Sequence, residues 1–84
     1  MDKRQAYYAG LKALFEMPGW VILDEDMTDQ IETARNQAFY AADMAELGRL
    51  RGRAEAFTEI KALPAIIEMN EREQAELDEA NADL

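Results

Sequence analysis

PGWVILDEDMTDQIETARNQAFYAA (Pro18–Ala42) and, directly after it, DMAELGRLRGRAEAFTEIKAL (Asp43–Leu63) carry the plan of this 84-residue chain. In the first run Trp20, Leu23, Met27, Ile31, Ala34, Ala38 and Ala41 recur every three or four residues. That near-heptad spacing gives a helix one narrow apolar seam. In the second run Leu47, Leu50, Ala54, Phe57, Ile60 and Leu63 do the same. Between them, Asp43-Met-Ala-Glu46 has the form of a capping box, in which the aspartate accepts from the amide three residues on and the glutamate reaches back. Two helices of similar length that fold back at Ala41–Met44 pack antiparallel, with partner numbers that sum to about 85. This register sets Ile31 beside Ala54, Trp20 beside Leu63, Asp24 near Lys61 and Glu32 near Arg53.

On the N-terminal side, Asp2 to Glu16 reads as a short amphipathic helix on Tyr7, Leu11, Leu14 and Phe15. Met17-Pro18-Gly19-Trp20 interrupts it, and Pro18 is preorganised to open the following helix. On the C-terminal side, Leu63-Pro64 breaks the run again, and Ala65-Ile66-Ile67-Glu68-Met69 adds a short apolar segment. From Asn70 onward the chain is rich in Glu, Ala and Asp, with Leu77 and Leu84 as its bulky apolar residues. Its helix propensity is good, but it has little to bury. The expectation is therefore an all-α protein: an antiparallel helical hairpin, a short N-terminal helix near its open end, and an acidic, mostly helical C-terminal tail. Residues 1–69 form the helical domain and residues 70–84 the tail, which is expected to be dispensable for folding and to bind a basic surface.

A chain of this length is one domain at most and buries only about 60% of the surface its unfolded form exposes. It contains no Cys, so neither disulfides nor thiolate metal sites support it, and the redox compartment is left open. Burial of apolar surface, within the chain or against a partner, is the stabiliser that remains. The net charge of −9 is uneven. Glu68, Glu71, Glu73, Glu76, Asp78, Glu79 and Asp83 face Arg72 alone in the last stretch, and Asp24, Glu25, Asp26, Asp29 and Glu32 crowd the start of the second helix. Direct nucleic-acid binding is disfavoured, because phosphate contacts need a basic surface. A basic partner or mimicry of a polyanion is the alternative use of such charge. No apolar run approaches membrane-spanning length, and Lys3 and Arg4 are not followed by a stretch of the signal-peptide kind.

The residues that perform chemistry are scarce. His and Ser are absent, and the three threonines have no His or Cys beside them to activate them. Phosphate loops and dinucleotide fingerprints are missing too, so a non-enzymatic protein without a cofactor is expected. Asp24, Glu25, Asp26 and Asp29 are oxygen ligands of the kind calcium prefers, but the spacing lacks the glycine and terminal glutamate of an EF-hand loop. A solvated acidic helix start explains them better.

The candidate site residues are accordingly ones that bind other proteins. Phe39 and Tyr40 fall off the seam and must pack on the first helix or on another subunit, and Ile66, Ile67 and Met69 add apolar surface beyond the hairpin. Gly48 and Gly52 sit inside a helix, where each is worth roughly 1 kcal/mol less than alanine. Close approach of a neighbouring helix would offset that loss; a plain local weakness is the other reading. Arg49 and Arg53 share a helix face, suited to an acidic partner or to ordinary pairing with Glu46, Glu32 and Asp29. Trp20 is expected in the core, and its truncation to cost about 3–5 kcal/mol.

The pattern Leu14-Phe15-x-x-Pro18-Gly19-Trp20, a long helix, Arg51-Gly52 and then Leu63-Pro64 resembles a class of small helical proteins encoded by tailed bacteriophages, over most of residues 11–64. The resemblance implies a virion or assembly component, located in the particle or in the host cytoplasm, with other phage structural proteins or copies of itself as partners. It brings no catalytic site with it, and the acidic tail lies outside it. Two other readings stay open: an acidic inhibitor that mimics nucleic acid, such as an anti-CRISPR or anti-restriction protein, and a small regulatory adaptor of a bacterial complex.

Overall fold

The computed structural model describes residues 2–82; Asp83 and Leu84, counted above with the tail, lie outside the described residues. Four helices follow one another: α1 (Lys3–Phe15), α2 (Pro18–Phe39), α3 (Met44–Lys61) and α4 (Leu63–Ala82). The protein is all-α, and α2 and α3 pair as the expected hairpin.

Each helix begins and ends for a local reason. Asp2 caps α1 reciprocally: the Gln5 amide donates to its carboxylate at 2.8 Å, and the Asp2 amide donates to the Gln5 side chain at 3.1 Å. Met17 is extended, as a residue before proline tends to be, and Pro18 opens α2. Asp43 caps α3 by accepting from the Glu46 amide at 2.8 Å. The reciprocal arm lands one residue early, because the Glu46 carboxylate accepts from the Ala42 amide at 3.3 Å rather than from Asp43. At the second proline a single residue, Ala62, separates α3 from α4, and it is itself helical at φ −80° and ψ −10°. The Ile66 amide still donates to the Ala62 carbonyl at 3.0 Å, so this joint is a kink in a nearly continuous helix rather than a loop.

The register extends beyond the hairpin. Lys61 Nζ meets the Asp24 carboxylate at 3.1 Å, and Ile31, Ala34 and Ala54 form one buried cluster with Phe57 packed against it. Past the prolines, Lys12 pairs with Glu71 at 2.8 Å and Arg4 with Asp78 at 3.0 Å, so α1 and α4 also run antiparallel. The two prolines fall at the same level of the two strands of chain. The whole molecule is thus one long helical hairpin, notched on both arms at a common waist. End to end, α3 and α4 would span about 57 Å at 1.5 Å per residue, and the long axis measures 58 Å.

The core is correspondingly thin: Met27, Ile31, Ala34, Leu50, Ala54 and Ile67 are the buried apolar residues, with Leu50 the most enclosed at 1% exposure. Trp20 departs from expectation. It is half-buried at the waist, its ring tilted against Phe15 with centroids 4.8 Å apart. Two side-by-side helices enclose only the residues at the centre of their seam, and among the described residues no second layer closes over the indole. Arg53 departs too. It donates to Gln30 at 2.8 Å and lies over the Phe57 ring, so Glu32, nearly half a turn round α2 from Gln30, is not its partner.

Candidate interaction surface

The apolar residues proposed as interacting fall at two places. Phe39 and Tyr40 end α2 at the hairpin tip, 84% and 82% exposed, with their rings edge-on at 5.3 Å. They do not pack on α1, which lies at the other end of the rod. Ile66 and Met69 are exposed near the waist, about 33 Å away at the helical rise. Ile67 turns inward and belongs to the core at 9% exposure. The tip and waist sets are therefore separate surfaces.

Gly48 and Gly52 lie on the outer side of α3, and an added Cβ at either would meet nothing within 4 Å. No close contact inside the molecule accounts for them. Arg49 is exposed and shares a shallow concavity with Tyr40, Asn36, Gln37 and Glu46. Among the described residues, neither Arg49 nor Arg53 enters an ion pair.

Two features were not singled out from the sequence. The first is a groove of about 740 Å³ along one side of the α2/α3 seam, floored by Ala34, Ala38, Leu47, Leu50 and Ala54, with Phe39 on its rim. Arg35 and Arg51 edge it toward the tip, Glu55 and Glu59 toward the waist. The alanines in the seam were the legible signal, since small residues at core positions leave a channel that Leu or Ile would fill. The second is an apolar girdle at the waist, where Leu14, Met17, Val21, Ile22, Leu23, Ile60, Leu63 and Ile66 are all exposed. They gather there because the paired prolines bring four helix ends to one level.

Among the described residues no group of three or more potential metal ligands converges, and no helix is long and apolar enough to cross a membrane. No protein-family model matches the sequence, and no curated protein or solved structure is significantly similar to it.

Proposed function

We propose that this chain is a non-enzymatic structural or assembly protein that acts through helix-mediated protein–protein interaction. The observation that supports this is the surface it leaves open. The chain exposes 6561 Å², whereas a compact monomer of its 9.6 kDa mass would expose about 5,100 Å². Its radius of gyration is 18.0 Å, against about 12 Å for a compact domain of this length. A rod two helices wide, with exposed aromatic rings at one end and an apolar girdle at its middle, is shaped to be built into something larger.

The bacteriophage particle, or its morphogenesis, is the setting we propose, on the Leu14–Trp20 and Arg51-Gly52 resemblance. The polyanion-mimic reading is weaker. A mimic needs carboxylates on one rigid surface, whereas those of α4 spread around more than half the helix, and Glu71 and Asp78 are held by Lys12 and Arg4.

Two measurements test the proposal. The purified chain should bind an environment-sensitive apolar dye and should associate in sedimentation, with itself or with an added structural protein from the same genome. A chain that does neither up to 100 µM, a concentration about a hundredfold above a micromolar Kd, is not an interaction protein of this kind. Mass spectrometry of purified particles and of assembly intermediates tests the phage setting, which falls if the chain is in neither.

A further inference from the structure

We propose that the groove between α2 and α3 seats a second copy of this chain, docked antiparallel about a two-fold axis, so that two hairpins close into a four-helix bundle. The proposal rests on the reading of the protein as an interaction part and names its partner.

Three observations carry it. The first is area. The surface of the whole rod exceeds that of a compact monomer by about 1,500 Å², so a second rod laid along this face has room to bury the roughly 2,000 Å² or more, for the pair, of an obligate dimer. The second is local charge. The chain carries −9 overall, and two copies repel over most of their surfaces. The groove is edged by Arg35 and Arg51 against Glu55 and Glu59 and is locally neutral, so like-charge repulsion is least at this face.

The third is the order of those charges. Both arginines lie toward the tip and both glutamates toward the waist. A two-fold axis crossing the groove near Ala54 lays α3 along the partner subunit's α3, so that Arg51 of each chain meets the glutamates on the α3 edge of the other. A parallel copy would set arginine on arginine, and a head-to-tail copy would not close. The floor suits this geometry as well. Ala34, Ala38 and Ala54 allow close approach, and Phe39 on the rim supplies a bulky group to cover the opposite chain.

Two double variants test the pairing, R35E/R51E and E55R/E59R. All four side chains are on residues with exposed surface, and none joins an ion pair among the described residues, so both variants should keep wild-type helicity by circular dichroism. In sedimentation velocity at physiological salt, wild type is expected at twice the chain mass. Each variant alone should dissociate at least tenfold more readily. E55R/E59R should do so even though its net charge is smaller than that of wild type. An equimolar mixture has the total charge of the wild-type dimer and should recover wild-type association, since the α3 edge of one chain then carries only arginine and that of the other only glutamate. Dimers that neither variant weakens, or a mixture that stays monomeric, would overturn the antiparallel pairing. So would a wild-type monomer at 100 µM. If that monomer still binds the apolar dye or an added structural protein from the same genome, self-pairing fails while the interaction reading stands; if it binds neither, both fail.

Discussion

Trp20→Ala measures how the two halves of the rod are joined. The indole is the largest side chain at the waist and packs on Phe15, the last residue of α1, so it links α1 to α2 across the Glu16-Met17 break. A buried aromatic removes about 150–250 Å² from water; a half-buried one removes roughly half of that. At about 25 cal/mol per Å² the transfer loss is about 2–3 kcal/mol, and the methyl group of alanine retains a little of it. The tilted ring pair adds about 0.5–1.5 kcal/mol. Truncation should therefore destabilise by about 2–4 kcal/mol, toward the lower side of the 3–5 kcal/mol typical of a fully enclosed aromatic. Urea denaturation followed by helical circular dichroism measures the total. A double-mutant cycle with Phe15→Ala isolates the ring pair and should return a coupling above about 0.5 kcal/mol. A coupling near zero would mean that the rings are neighbours without joining the helices. A total loss of about 5 kcal/mol or more would mean that the indole is enclosed in solution, and the open-flanked rod would be wrong.

Gly52→Ala and Gly48→Ala should each stabilise the folded chain by up to about 1 kcal/mol, because the new methyl groups enter open space within a helix. Both glycines lie on the stripe of α3 that carries Glu55 and Glu59 at the groove's edge, and a methyl group there meets open space in the single chain; weakened self-association in sedimentation would show that a partner packs closely against that stripe. Truncation after Met69 removes Glu71 and Asp78, the partners of Lys12 and Arg4. Exposed pairs are worth about 0–1 kcal/mol each, so the α2/α3 hairpin should keep its thermal transition while the outer part of α1 loses protection from hydrogen exchange. Loss of the cooperative transition altogether would show that the α1/α4 pair and the hairpin fold as one unit.

Much of the plan was legible in the residues. Seam spacing marked the α2/α3 hairpin, and Asp43 marked the start of α3 because a short carboxylate satisfies an amide that the helix leaves unpaired. The register followed from the fold-back, down to Lys61 on Asp24 and Ile31 with Ala54. The prolines marked both breaks, because a ring nitrogen donates no hydrogen bond to the preceding turn. What local pattern does not contain is the direction in which the chain leaves each break. Ala62 stays helical and Met17 becomes extended, and together these bring α4 back along α1, where charges some sixty residues apart in sequence meet. Residues 70–82 have almost no apolar seam to announce that pairing. The groove, the half-covered Trp20 and Arg53's choice of Gln30 have the same origin. Periodicity says which stripe of a helix is apolar, but how much of that stripe is covered depends on how many neighbours the fold supplies. Here each helix lies along one principal neighbour.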